Sequence, residues 1–356
     1  MIVKSAAITR CNQRYPAPGG GRVILCSRSR IDRAIIGRVF APALRSDLSS
    51  SAFKPSAYLA PRYWPTWLGL GLLRLIALLP YPAQLFIGRR LGDLTRLFSP
   101  RRQQVARTNF ELCFPELDAG ERERLVRLTF QSVGITLAET ALSWWGSEAK
   151  LKSLYRIEGL EHLEAALRQG KGALLLGGHY TTLEISGRLL AFHCDAVQPI
   201  YKPARNPLFN AMMVASRSKL FDGLLGNKDM RTIVRSLKQN KVVWYAPDQD
   251  FRRAQNVFAP FMGITAASLN MTPRLAKVSR AAVLPFYSRR LPGNQGYLIR
   301  IMPPFEDFPS GDDVADTTRI NAAIERQVRE APEQYLWLHR RFKTRPPGEK
   351  DLYSPK

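Results

Sequence analysis

A histidine and a glutamate follow an apolar, strand-like segment that ends at Gly177-Gly178, with Glu184 five positions after His179. On one continuous helix that spacing would put the two side chains about 140° apart, so they would not face each other. If His179 lies in the turn after the strand and Glu184 in the first turn of the next helix, we expect the carboxylate to fold back onto the imidazole. Such a carboxylate fixes the tautomer and raises the basicity of the ring, so the pair predicts a general base acting on a hydroxyl. For the HxxxxE pattern alone, an ordinary hydrogen-bonded loop histidine is the alternative interpretation.

Short apolar segments alternate with helical segments from Leu160 onward, and this pattern supplies the elements that must position the motif. Predicted strands cover Ala173–Leu176, Val197–Ile200, Val242–Ala246, Ala282–Phe286 and Gly296–Ile301. Predicted helices cover Pro100–Leu112, Ala119–Trp145, Leu160–Arg168, Leu183–Phe192, Pro207–Arg217, Met230–Gln239, Ser268–Ser279 and Asp316–Ala331. Strands that alternate with helices predict an α/β fold with helices packed over a sheet.

Four further blocks accompany the motif: PRYWPTWLG at 61–69, NFELCFPE at 109–116, VWYAPDQD at 243–250 and APEQYLWLHRRFKTRP at 331–346. Together with HxxxxE, they resemble the bacterial lipid A late acyltransferases of the lauroyl/myristoyl type, in the glycerolipid acyltransferase-like superfamily. The resemblance runs in the family's order from about Phe53 to about Pro347. It implies a mixed sheet flanked by helices, with an N-terminal membrane-anchoring helix.

The resemblance also implies the reaction. An acyl chain would pass directly from acyl carrier protein to the hydroxyl of a 3-hydroxyacyl chain on a Kdo-bearing tetraacyl lipid A precursor. The His179–Glu184 dyad would act as the base, with no covalent acyl-enzyme, no cofactor and no metal. The protein would work at the cytoplasmic face of the bacterial inner membrane. Alternatives are a glycerophospholipid or mannoside acyltransferase of the same superfamily, or a non-catalytic protein that binds a membrane surface.

Further candidate site residues come from the segments around the motif. The resemblance assigns oxyanion stabilisation to an arginine, which we match to Arg217, and backbone amides at Gly177 and Gly178 are a second source of donors. We assign substrate binding to side chains in three segments and to the second glycine: Gly178, Lys202, Arg205, Asp248, Asp250, Arg340 and Arg341. Asp248 and Asp250 follow a predicted strand at its carboxyl end, and we expect them to order the site loop through hydrogen bonds rather than to bind a metal.

The chain has a formal net charge of +24, which predicts an anionic partner such as a membrane surface, a phosphorylated substrate or an acidic protein. No zinc finger, basic zipper or aromatic RNA-binding signature is present, so nucleic acid is not an expected partner. The four cysteines are widely separated in the sequence, which indicates a reducing compartment.

The N-terminal region divides into two parts. Residues 1–60 hold ten Lys or Arg against two Asp or Glu, and we expect residues 1–52 to be a basic, disordered extension. Trp64–Leu79 is strongly apolar and flanked by aromatic and arginine residues, which predicts an anchor that either spans marginally or lies in the interface. The predicted domains are thus the extension (1–52), a membrane anchor (53–90), a helical region (91–150), an acyltransferase α/β domain (151–347) and a tail (348–356).

Overall fold

A seven-stranded mixed sheet forms the centre of the fold. The structure is a computed structural model and describes residues 53–250 and 256–354, so the extension predicted over residues 1–52 lies outside it. The strands are β1 (Tyr155–Glu158), β2 (Ala173–Leu176), β3 (Val197–Tyr201), β4 (Leu225–Gly226), β5 (Val242–Tyr245), β6 (Asn256–Phe261), β7 (Ile264–Leu269), β8 (Ala282–Arg290) and β9 (Tyr297–Ile301). The sheet order is β1-β9-β8-β2-β5-β3-β4, while β6 and β7 form a separate hairpin. Only the β8–β9 pair in the large sheet is antiparallel among the described strands.

Helices cover the sheet and precede it. They are α1 (Trp64–Leu78), α2 (Tyr81–Leu97), α3 (Pro100–Cys113), α4 (Ala119–Trp145), α5 (Glu148–Lys152), α6 (Leu160–Arg168), α7 (Leu183–Leu190), α8 (Pro207–Arg217), α9 (Met230–Lys238), α10 (Met271–Ser279) and α11 (Asp313–Glu330). The predicted α/β fold with a mixed, helix-flanked sheet is therefore confirmed. In residues 53–250 and 256–354, no helix combines the length and the apolar character needed to cross a bilayer.

The predicted helix over Ser268–Ser279 is wrong at its start. Ser268 lies in β7, and helix α10 begins three residues later at Met271. The β6–β7 hairpin has weak strand signals, because Pro260 interrupts β6 and small residues fill β7.

Helix α4 is the long element on which the site loop rests. Asp118 caps its start through a capping box with Glu121. Midway along, Gly134 lies against the backbone of α2, and a Cβ at this position would come within 2.2 Å of the Gly88 carbonyl oxygen. Glycine therefore lets the two helices approach closely enough to fix the path of α4 towards the site.

Two of the sequence blocks that carry the family resemblance meet in the core. Asn109 of α3 donates from its side-chain amide to the carbonyls of Trp337 (2.7 Å) and His339 (2.9 Å). The Trp337 ring is fully buried against Phe110 and Phe114 of the same α3 block. The N-terminal helices thus hold the C-terminal segment in place.

Candidate active site

The sheet brings His179 opposite Asp248. Strands β2 and β5 are parallel neighbours in which Leu176 pairs with Tyr245, and the two candidate residues each follow three positions later. Side chains at the carboxyl ends of parallel strands meet at one edge of the sheet, where α/β proteins place their sites. The register therefore carries the histidine and the aspartate into contact.

Asp248 makes two hydrogen bonds with His179. Its Oδ1 lies 2.6 Å from Nδ1 of the ring, and its Oδ2 accepts from the His179 backbone amide at 2.8 Å. Burial alone would raise the pKa of the Asp248 carboxyl. The charge of His179, these hydrogen bonds and one from Tyr335 outweigh burial and lower the pKa to about 2. An ionised Asp248 requires the proton on Nδ1, which leaves Nε2 of His179 free to accept a proton.

Glu184 has a different partner from the one predicted. It lies in the first turn of α7 as expected, but its carboxylate accepts from Arg217 Nε (3.1 Å) and Nη2 (2.5 Å) and from Trp144 Nε1 (2.8 Å). The predicted contact between Glu184 and His179 is therefore corrected, because Asp248 is the carboxylate on the imidazole. The sequence signal for Asp248 was its position after the neighbouring strand, which the spacing within HxxxxE does not contain.

Arg217 ends helix α8 and is held as a bidentate pair by Glu184. The side chains keep only 15% and 12% of their surface exposed, respectively. The Nη1 group of Arg217 has no acceptor within residues 53–250 and 256–354, and it is not a buried atom. One nitrogen of the carboxylate-held guanidinium therefore has no acceptor among the described residues.

The backbone amides next to His179 differ in availability. The Gly177 amide donates to the Tyr245 carbonyl at 2.8 Å, and the His179 amide is engaged as described above. The Gly178 amide has no acceptor in the described part of the chain. A Cβ at Gly178 would come within 2.8 Å of the Tyr180 ring, so this position favours glycine. Of the two amides predicted as oxyanion donors, Gly178 is the one left available.

The C-terminal block (residues 331–346) forms backbone hydrogen bonds with the His179 loop. Leu336 donates its amide to the His179 carbonyl (3.1 Å), and Thr181 donates its amide to the Gln334 carbonyl (2.8 Å). These bonds hold the loop from behind as a short antiparallel contact. The sequence resemblance marked this block without giving its role, and the structure shows that its backbone supports the His179 loop.

Asp250 orders the chain rather than exposing a carboxylate. Its side chain accepts from the backbone amide (2.6 Å) and hydroxyl (2.9 Å) of Thr344, while its own amide donates to Nε2 of His339 (3.3 Å). Burial lowers the pKa of His339, consistent with a neutral ring that accepts this bond. Both carboxylates of the 243–250 block thus make loop-ordering hydrogen bonds.

The two neighbouring arginines of the C-terminal block have opposite environments. Arg341 is 1% exposed and donates to the Ala267 carbonyl and the Ser268 hydroxyl, both at 2.7 Å. Its prediction as a substrate-binding residue is corrected, because the guanidinium lies within the core. Arg340 is exposed and lies over the Tyr353 ring, so it stays a candidate.

Lys202 and Arg205 are exposed in the loop between β3 and α8. Neither forms an ion pair with another described residue. Their charges are therefore available for a ligand, and the phosphate contacts of these two residues stay a prediction.

A buried ion pair beside the loop was missed from the sequence. Arg290 at the end of β8 pairs with Glu139 of α4 at 2.8 and 2.9 Å, and its Nη1 also donates to the Ser132 hydroxyl. Ser132 in turn contacts the hydroxyl of Thr181 in the motif loop at 2.7 Å. No sequence spacing links these residues, because they belong to elements distant along the chain.

The described residues contain no group of three or more His, Cys, Asp or Glu side chains arranged to hold a metal ion. A cavity of about 10 Å³ lies between His179, Asp248 and the C-terminal block. This volume is enough for roughly one water molecule.

The fold and site define an α/β protein with an imidazole–carboxylate pair at the strand ends and a carboxylate-held arginine on the adjoining helices. Residues 51–344 match the family model described as bacterial lipid A biosynthesis acyltransferase, and the chain belongs to that family. It is therefore an acyltransferase of lipid A biosynthesis.

Three relatives illustrate the match, all from Escherichia coli strain K12. The chain is 40% identical to a lipid A biosynthesis palmitoleoyltransferase, over 83% of this chain and 96% of the relative. It is 39% identical to a lipid A biosynthesis lauroyltransferase, over 84% of this chain and 97% of the relative. It is 32% identical to a lipid A biosynthesis myristoyltransferase, over 83% of this chain and 94% of the relative. These names differ in the acyl group transferred, so the family assignment leaves chain length open.

Proposed function

We propose that the protein transfers a fatty acyl chain from acyl carrier protein to a hydroxyl of a 3-hydroxyacyl chain on a Kdo-bearing tetraacyl lipid A precursor. Family membership supports a lipid A-type acceptor. The net charge of +24 suits both an acidic carrier and a phosphorylated acceptor. The observation that carries the proposal is the contact of His179 with Asp248, because it leaves a ring nitrogen ready to accept a hydroxyl proton.

His179 acts as the general base. Nε2 takes the proton of the acceptor hydroxyl while that oxygen attacks the thioester carbonyl of the donor. Asp248 keeps the proton on Nδ1 and stabilises the imidazolium that forms. The tetrahedral intermediate then breaks its carbon–sulfur bond, and the proton on Nε2 passes to the departing thiolate. The products are the ester and the free thiol of the carrier.

The oxyanion of the tetrahedral intermediate needs donors held in place beforehand. Arg217 meets this requirement because Glu184 fixes its guanidinium through two hydrogen bonds and leaves Nη1 open. The Gly178 amide is a second donor. In this mechanism Glu184 acts through Arg217, which differs from the dyad expected from the sequence.

Transfer is direct, without an acyl-enzyme. Burial raises the pKa of the Cys194 thiol to about 11 and raises the pKa of Cys113 further. A thiol with a raised pKa is a poor nucleophile at neutral pH. Both substrates must therefore bind together, with Lys202, Arg205 and Arg340 available for phosphate or carrier contacts.

The protein attaches to the cytoplasmic face of the bacterial inner membrane through α1 and α2. One face of α1 carries exposed apolar residues at intervals of three or four: Trp64, Leu68, Leu72, Leu75 and Leu78, each 53–73% exposed. The opposite face, with Leu70 and Ala77, is buried. A helix with this division lies in the interface plane, and the flanking arginines would contact anionic headgroups.

Mass spectrometry of a reconstituted reaction tests the proposal. Purified protein in detergent receives acyl carrier protein thioester and the lipid A precursor, with His179→Ala as the control. We expect a mass increase of one acyl group on the precursor with wild-type protein only. Acylation of a lysophospholipid or a mannoside instead would assign one of the other superfamily reactions. Precursor binding without product would point to the non-catalytic alternative.

A further inference from the structure

Trp144, the penultimate residue of α4, contacts the carboxylate that holds Arg217. Its indole Nε1–H donates to Oε1 of Glu184 at 2.8 Å. That oxygen also accepts from Nε of Arg217 at 3.1 Å. An indole N–H can only donate, so this hydrogen bond fixes the orientation of the Glu184 carboxylate with one oxygen towards Trp144.

The end of α4 holds Glu184 at two points. Besides the indole bond to the carboxylate, the Ser143 hydroxyl donates to the Glu184 backbone carbonyl at 3.2 Å. The backbone and the side chain of the motif glutamate are therefore both fixed to one helix. This limits the rotation of the carboxylate, which sets the direction of the guanidinium it binds.

The Trp144 ring is itself packed against an aromatic ring of its own helix and one of a neighbouring helix. Its centroid lies 5.6 Å from that of Trp145 and 5.6 Å from that of Phe209. Phe209 belongs to α8, the helix that ends at Arg217. The same cluster includes Leu70 of α1. The Trp144 side chain thus packs against the helix that ends at Arg217 and donates a hydrogen bond to Glu184, the carboxylate partner of Arg217.

We infer that Trp144 is a positioning residue for the transfer reaction, acting through Glu184 to aim the free Nη1 of Arg217 at the developing oxyanion. This inference rests on the proposed function. Without the indole donor, Arg217 keeps its charge and its partner but loses a fixed orientation. The change weakens stabilisation of the transition state and leaves substrate binding unaffected, because the oxyanion develops only in the transition state.

Trp144→Phe tests this role, because it removes the N–H and keeps an aromatic ring. We expect kcat to fall about tenfold, as for loss of one hydrogen bond to a charged group, while KM for both substrates stays within about twofold. Trp145→Phe is the matched control, because it keeps an aromatic ring against Trp144 and removes an indole N–H that has no acceptor among the described residues. It should keep wild-type kcat.

The dependence on Glu184 separates positioning from general loss of packing. In a Glu184→Ala background, Trp144→Phe should cause no further loss of kcat. A wild-type kcat in Trp144→Phe, an equal loss in Trp145→Phe, or a full additional loss in the Glu184→Ala background would each overturn the inference.

A failure of the proposed function is recognised separately, because wild-type protein would then give no acylated precursor. Thermal unfolding of Trp144→Phe, Glu184→Gln and the double variant still measures the contact. We expect their shifts in Tm to be non-additive. Additive shifts would show that the two side chains do not act together.

Discussion

His179 and Asp248 occupy equivalent positions on neighbouring parallel strands, each three residues past the strand end, with the ring and carboxylate 2.6 Å apart. Sheet register, rather than spacing along one helix, therefore creates the imidazole–carboxylate pair. The two residues are 69 positions apart in the chain. Any change that shifts β2 relative to β5 would separate them.

His179→Ala is expected to lower kcat by about two orders of magnitude, because general-base catalysis contributes roughly that much. Asp248→Asn should lower kcat comparably, since an amide no longer enforces the required tautomer. The double variant should lose little more than either single one. Steady-state kinetics with circular dichroism as a folding control measures this. A near wild-type rate in His179→Ala would rule out the mechanism.

Asp248 should make the free energy of unfolding depend on pH. Its pKa is about 2 in the folded protein against an ordinary value of 3.8. A depressed pKa means that the stabilisation is present above about pH 4 and is lost as pH falls towards 2. Urea unfolding between pH 5 and pH 2, with Asp248→Asn for comparison, isolates this contribution from that of other carboxylates. Equal pH slopes in both proteins would contradict the expectation.

Arg217→Ala should lower kcat by about 100-fold with a smaller change in KM, as for removal of an oxyanion donor. Arg217→Lys should recover only part of the rate, because a single ammonium cannot reproduce the bidentate pair with Glu184. Initial rates with both substrates varied provide the two constants. A defect confined to the KM of the phosphorylated acceptor would instead make Arg217 a phosphate ligand.

Lys202→Ala and Arg205→Ala should mainly raise KM for the lipid acceptor, because both side chains are exposed and free of ion pairs with other described residues. The effect should shrink on a dephosphorylated acceptor, in which the contacted charge is absent. Comparing the two acceptors at one donor concentration measures this. An unchanged KM would show that these residues contribute only general surface charge.

Arg341→Met should reduce the free energy of unfolding by about 2 kcal/mol, because it removes two buried hydrogen bonds made by a charged group. Arg340→Met, at the adjacent exposed position, should change it by less than about 0.5 kcal/mol. Denaturant unfolding of both variants gives the comparison. An unchanged stability with a raised KM would restore Arg341 as a substrate ligand.

Replacing Leu68, Leu72 and Leu75 together with Gln should release the protein from membranes, because it removes the apolar face of α1. Val278→Ser with Val314→Ser, which also alters exposed apolar residues, should leave binding unchanged. Deletion of residues 1–52 should likewise have little effect. Flotation with anionic vesicles measures binding. If the deletion alone abolished it, the extension would be the anchor.

The sequence predicted elements better than it predicted contacts. Helix α4 and strand β2 begin and end where the periodicity placed them, because each carries a strong local pattern. The partner of His179 was wrong because local spacing favoured Glu184, whereas strand order decides which loops meet. Arg341 was misassigned for a similar reason, since charge alone does not reveal a buried guanidinium that bonds a carbonyl.

The hydrogen bonds between the His179 loop and the C-terminal block have a consequence for synthesis of the chain. Thr181 and Gln334 are 153 residues apart, so the ribosome produces the loop long before the segment that supports it. At 5–20 residues per second, the delay is roughly 8 to 30 s. Helix α1, the proposed membrane anchor, is made earlier still and can reach the lipid surface during that interval. Under the proposed function, the nascent protein would thus meet a membrane before its His179 loop is supported, and catalysis would begin only after translation has nearly finished.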